Sequence, residues 1–448
     1  MPVGLSRWTM TYFAMALGAF LLAQLLMAAG LTYPIEPLAS GRTLVGVHLI
    51  TIGWLSLLMM GALLQFVPVI TGTTAIGARA GLPSLIAITL GLIGMIMGFL
   101  ALNGDLPPGF VAALPVGGGG VVCGFLLVGA VVARALFLGR PLALPGRFVA
   151  VGLCFLLLTV SLGLCFALAF AWPEIFPWGG LLARGLDLHV ASGLVGWFTL
   201  TAMGVSYRLL SMFMLAPEED GKIGAHVLHL ATAGLALLWL DGFLGDLPVV
   251  GLLWGGGAFL LVVAAALYLV DMARMYRARR RPVLELNSKV GAAALAALGA
   301  SVIGLAALAV TGRWATLIGP LCYLLVFGWL SGLALGQLYK IIPFLTWLER
   351  YGPRLGKTTV PRVQDLVKER RAVGWFILYF LAVAAGTISG GFGLISLWRA
   401  AICLHLVASG FIARELWRAR RLRYVAPETP ARPFPAPPAL PRSPSLSP

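Results

Sequence analysis

Twelve long apolar runs joined by short polar connections leave this 448-residue chain one kind of environment in which to fold. The runs lie near residues 8–31, 42–70, 83–103, 110–138, 147–171, 186–214, 223–243, 247–275, 287–311, 315–345, 372–390 and 394–420. Each is close to or above the roughly 20 residues that a helix needs to cross a hydrocarbon core about 30 Å thick. Backbone inside lipid must satisfy its own hydrogen bonds, and continuous apolar segments do so as helices, not as barrel strands. Charged residues make up 11% of the chain, against roughly 25% in soluble domains. A soluble enzyme, a disordered chain and a coiled coil are excluded. The sequence predicts an all-α membrane protein of twelve transmembrane helices over residues 1–424. Residues 427–448 hold nine prolines and no apolar periodicity, so 425–448 reads as a proline-rich disordered tail.

The net charge of +16 would suggest nucleic acid in a soluble protein. Here the charges sit between apolar runs, so they report topology, and the bilayer is the expected partner. With the N-terminus inside, 28 of the 32 basic residues face the cytoplasm, including Arg274, Arg277, Arg279, Arg280 and Arg281. Only Arg42, Arg184, Arg313 and Arg399 fall outside. Both termini are therefore expected in the cytoplasm of a bacterial-type inner membrane. The long inner loop, about 346–371, is amphipathic and is expected at the headgroup surface. The five cysteines lie inside apolar runs and form no CxxC, so neither a disulfide framework nor a thiolate metal site is indicated.

An internal repeat runs through helices 2, 6 and 10. Gly53-Trp54, Gly196-Trp197 and Gly328-Trp329 are each followed, seven residues after the tryptophan, by Gly61, Gly204 and Gly336. Four residues later stand Gln65, Arg208 and Lys340, long polar side chains expected to snorkel inward. A four-helix spacing predicts three pseudo-symmetric four-helix units.

Five histidines stand out in so apolar a chain. His48, His189 and His405 follow Arg42, Arg184 and Arg399 by five or six residues on helices that run inward. At 1.5 Å per residue the three share a depth about 8–9 Å below an outer cation. A neutral imidazole is a good axial ligand for heme iron, and an arginine above it suits a propionate. Hydrogen bonding between helices is the alternative for the same residues. His226 and His229, spaced i, i+3 in the inner half of helix 7, share a face that suits a metal or a hydrogen-bonding pair.

Twelve helices, a repeat of four, His48 near the outer end of helix 2, and the stretch from Val47 through Gly61, Gln65 and Pro68 resemble the catalytic subunit of the heme-copper oxidase superfamily, in particular its nitric oxide reductase branch. Helix 10 departs from that pattern: it offers Cys322 and Tyr323 in place of histidines. Gly193 stands where oxidases carry a tyrosine, and the helix 7 pair is not adjacent. The chain thus looks like a divergent relative similar to the NnrS-type heme proteins, without the oxygen-reducing centre. The resemblance implies a b-type heme, with copper or a second heme as a further cofactor, and a cytochrome or quinol as electron donor. Its helix packing implies His48 and His405 as the axial pair under Arg42 and Arg399, leaving His189 and Arg184 for a second group. The expected role is electron transfer or handling of nitric oxide, heme or copper. A small-solute transporter and a non-catalytic respiratory assembly partner are the alternatives.

Overall fold

The computed structural model describes residues 3–73, 78–217, 221–244 and 250–425; the proline-rich tail lies outside them. Twelve helices are long and apolar enough to cross a membrane. We number them α1 (Val3–Ala29), α2 (Gly41–Thr71), α3 (Ala78–Leu102), α4 (Ala113–Leu138), α5 (Leu144–Ala171), α6 (179–214), α7 (Lys222–Leu244), α8 (Val250–Arg277), α9 (Leu286–Thr311), α10 (314–351), α11 (Glu369–Gly391) and α12 (Ile395–Arg420). No strand occurs among the described residues. The observed spans match the apolar runs to within a few residues at most ends. Large apolar side chains face outward along the bundle, Val116, Ile303 and Val310 among them, as a lipid-facing perimeter requires.

The helices pair in sequence order. α1 packs on α2, α3 on α4, α5 on α6, α7 on α8, α9 on α10 and α11 on α12. α4 meets α5, α8 meets α9, and α12 returns to α1 and closes the ring. In lipid, helices gain little by hiding apolar surface, so close approach through small residues holds them together. In the α3–α4 hairpin a Cβ on Gly91 would stand 2.6 Å from the carbonyl oxygen of Gly117.

The repeated glycines serve one purpose three times. A Cβ on Gly61 would stand 2.6 Å from Tyr12 Cβ, one on Gly336 2.7 Å from Val290 Cγ1, and one on Gly204 would collide with Phe148 Cβ. Eight residues earlier, Gly53 seats Ala19, Gly196 seats Phe155 and Gly328 seats Ala297. On the partner helices the paired residues are seven apart in each case, so α1–α2, α5–α6 and α9–α10 share one register.

A feature that the sequence did not announce sits at the same positions. α2, α6 and α10 each widen into eight residues of π-helix, at Leu49–Ser56, Ser192–Thr199 and Leu324–Ser331, with Gly-Trp at the fifth and sixth places. Wide turns of this kind recur at functional sites. The three tryptophans are buried, with relative exposures of 0%, 1% and 0%. Trp54 Nε1 donates to Ser331 Oγ at 2.9 Å and Trp197 Nε1 donates to Ser56 Oγ at 3.2 Å. The ring of donors stops there. Trp329 Nε1 is buried without a partner, and the Thr199 hydroxyl donates to Leu194 O of its own π turn at 2.8 Å.

The polar residue of the repeat does not simply snorkel. Gln65 Nε2 donates to Thr9 Oγ1 at 3.2 Å, and Lys340 is ion-paired with Glu285. The inner loop is also more than a headgroup raft. Trp347 Nε1 donates to Pro361 O at 2.6 Å, and Leu366 is fully buried, so the loop is fastened to the bundle end.

At the opposite end, Arg42 clamps two connections. Its Nε donates to Asp105 Oδ2 at 2.8 Å, its Nη2 to the other oxygen of that carboxylate, and its Nη1 to Glu36 Oε1 at 3.1 Å. The guanidinium holds Asp105 below the usual carboxylate range. Because the folded value is the lower one, this contribution is present above the unfolded pKa of about 3.9 and is lost as pH falls through the folded value. Amide exchange in the 103–107 loop is expected to accelerate only below about pH 4. Unchanged exchange at neutral pH in Asp105→Asn would show that the clamp does not hold this loop.

Candidate functional site

His48 ends the α-helical part of α2, one residue before the first π segment. Its Nδ1 lies 2.8 Å from Leu44 O. A carbonyl only accepts, so Nδ1 carries the proton and Nε2 presents a bare lone pair. The Phe99 ring on α3 lies alongside, 4.8 Å between centroids. His189 precedes the second π segment by three residues. Its Nδ1 lies 2.9 Å from Thr159 O on α5, which fixes the same tautomer. Gly163, one turn further along α5, admits the ring: a Cβ there would stand 3.0 Å from His189 Cε1. Phe166 meets the imidazole edge-on at 5.6 Å.

His48 and His189 are near enough to interact electrostatically. Both rings keep some accessible surface. Neither Nε2 has a hydrogen-bond partner among the described residues. Carbonyls that hold Nδ1 are the usual way a protein aims an imidazole at a metal. The arrangement is therefore two imidazoles, on two helices, each with Nδ1 held by a carbonyl and Nε2 unengaged by any described residue.

His405 is placed differently. It is fully buried in α12 and boxed by four rings: Phe20, Tyr323, Phe327 and Tyr379, at centroid distances of 6.2, 6.1, 5.1 and 4.7 Å. Its Nδ1 lies 3.1 Å from Tyr323 Oη, and its Nε2 is buried without a partner. Its neighbours come from α1, α10 and α11, whereas those of His48 come from α2 and α3. The contacts of His405 therefore come from other helices than those of His48.

The outer arginines also divide. Arg42 is committed to Asp105 and Glu36. Arg399 Nη2 donates to Ala28 O at 3.4 Å and ties α12 to α1. Arg184 is exposed on α6, five residues before His189. The helix 7 pair is exposed on the perimeter. His229 Nε2 accepts from Arg147 Nη2 at 3.2 Å, and His226 Nδ1 lies 2.7 Å from Lys222 O. A cation thus already engages the nitrogen that would bind a metal. Among the described residues no group of three or more His, Cys, Asp or Glu is placed to hold a metal ion.

A second polar region went unread in the sequence. At the end of the bundle that carries the basic clusters, a cavity of about 430 Å3 is lined by Arg281, Glu285, Asn287, Tyr339, Lys340 and Glu369, among others. Glu285 bridges Arg281 and Lys340. Both polar atoms of the Asn287 amide are buried and unpartnered. The available signal was a glutamate at the N-cap and an asparagine in the first turn of a largely apolar helix. No family model matches this chain, and none of the curated proteins is significantly similar to it.

Proposed function

We propose that this protein binds a heme through His48 and His189 and serves in electron transfer or in handling nitric oxide, heme or copper at the inner membrane. One observation carries the proposal: two imidazoles, each just before a π segment of the repeat, with Nδ1–H held by a backbone carbonyl and Nε2 unengaged by a described residue. Two protein ligands are too few for a bare metal ion at a typical site. They suffice for heme, because the macrocycle supplies the remaining four nitrogens. Phe99 and Phe166 give the two imidazoles the apolar flanks a macrocycle needs. Arg184 is exposed on α6 five residues before His189, where a cation would suit a propionate, whereas Arg42 holds two carboxylates. A bound heme would supply one-electron chemistry. The chain's own part is to fix both ring tautomers, exclude water with the surrounding phenylalanines and place the outer cation.

The test is the visible spectrum of protein purified from heme-replete cells. A low-spin bis-imidazole heme is expected, at one per chain. A colourless, folded protein would sink the proposal. A small-solute carrier is the second reading, favoured by the cavity with its unpartnered Asn287. It predicts no chromophore.

We read the scaffold as three four-helix units about a pseudo-threefold axis. The shared glycine register and the three π segments support this. The basic clusters support a cytoplasmic location for both termini. A single cysteine introduced at Lys357 in a cysteine-free background is expected to react only with membrane-permeant reagents in intact cells. Labelling there by an impermeant maleimide would reverse the topology.

A further inference from the structure

We propose that the groove between α5 and α7 is a binding site for one anionic phospholipid. It does not depend on the heme reading, and it rests on features that reading leaves unused. The groove is open and about 550 Å3 in volume, and it lies on the perimeter of the bundle within two membrane-spanning helices. Its order along the helices matches the order of groups in a lipid. Arg147 lies three residues past the start of α5, and His229 seven past the start of α7. By helical rise both stand within about 5–10 Å of the end of the bundle that carries the basic clusters, at headgroup and glycerol depth. From there the groove runs toward the membrane middle between Ala150 and Val151 on α5 and Ala233 and Ala236 on α7. Small side chains make the channel, and its walls are apolar, as an acyl chain requires.

The polar end is built for an anion. Arg147 spends one N–H on His229 Nε2, at 3.2 Å. Its other donors remain, and the accepting Nε2 leaves Nδ1–H of His229 as a further donor. No acidic residue lines the groove. A guanidinium at membrane depth is costly unless it meets a counter-charge, and a lipid phosphate is the anion available there. The same pairing accounts for why His229 sits on a lipid-facing surface.

The experiment is native mass spectrometry of the delipidated full-length protein in detergent. It is titrated with phosphatidylglycerol and, separately, with phosphatidylcholine of the same acyl chains. We expect one tightly held phosphatidylglycerol per chain, retained about fivefold better than phosphatidylcholine, the worth of roughly one cation at a membrane surface. Arg147→Gln is expected to bring the two lipids to parity, and Ala236→Phe, which fills the groove, to release both. Arg147→Lys keeps the charge and is expected to keep the preference, so it carries the comparison if Arg147→Gln does not fold. Equal retention of the two lipids by the unmodified protein would overturn the proposal. So would an unchanged preference in Arg147→Gln. Loss of binding in Ala236→Phe alone would assign the groove to a neutral lipophile instead. Competition by glycerol phosphate at equal concentration would assign it to a free phosphate.

Discussion

Replacing His48 or His189 with alanine is expected to abolish low-spin heme binding, whereas His405→Ala is expected to leave the spectrum unchanged. The asymmetry follows from what surrounds each ring. His48 and His189 each have Nδ1–H fastened to a carbonyl and Nε2 unpartnered. Losing either imidazole would remove one of the two residues that would hold the heme, and so both the low-spin signature and part of the protein's grip on it. Outer-shell partners of metal-bound imidazoles are typically worth about 10–100-fold in affinity, so removal of the imidazole itself is expected to cost more. His405, in contrast, is enclosed by four aromatic rings and hydrogen-bonded to Tyr323. Its removal opens a cavity and lowers stability, with no effect on the chromophore. Added imidazole restoring the low-spin spectrum of His189→Ala would identify that variant as a lost ligand, as opposed to a misfolded bundle. Loss of low-spin character in His405→Ala, with His189→Ala unchanged, would return the axial pair to His48 and His405.

The difference between the two pairings shows what a sequence can carry in a protein of this kind. The number and ends of the helices were legible, because apolar length alone decides what crosses a membrane. Spacing below the outer arginines can be counted as well, because helical rise is fixed. Azimuth was not legible. His48 stands five residues before the glycine of its Gly-Trp, and His189 seven before its own. Two residues turn a helix by roughly 200°, so equal depth does not mean equivalent faces. Counting from the glycine, the counterpart of His48 on α10 is Tyr323, and Tyr323 is the residue that meets His405. The π segments rotate everything downstream by an amount no apolar periodicity records. The committed state of Arg42 was hidden for another reason: its partners Glu36 and Asp105 lie in two different loops. Asn287 was passed over because a single amide at a helix start is ordinary, and only its lack of partners makes it notable.

The glycines of the repeat give the second large effect. Gly204→Ala is expected to destabilise the bundle by about 1–3 kcal/mol, the usual cost of overpacking, and Gly204→Leu by more. The reason is geometric. The new Cβ would collide with the Cβ of Phe148, itself fully buried, so backbone rather than a flexible side chain must give way. Gly61 against Tyr12 and Gly336 against Val290 present the same obstacle at 2.6 and 2.7 Å. A Cβ at Gly18 of α1 meets nothing within 4 Å, so Gly18→Ala is expected to be neutral or stabilising by up to about 1 kcal/mol through helix propensity. The measurement is the melting temperature of each variant in one detergent. If the three hairpins are equivalent, Gly61→Ala, Gly204→Ala and Gly336→Ala lower it by similar amounts, and the Gly18 variant does not. The loss should reach the His48–His189 pair as well, because Gly204 seats α6 on α5, and α5 supplies the Thr159 carbonyl that aims His189. A Gly204→Ala protein that melts with the unmodified chain would show that the α5–α6 seam relaxes freely. Such freedom would remove the physical reason for the ligand geometry to be fixed at all.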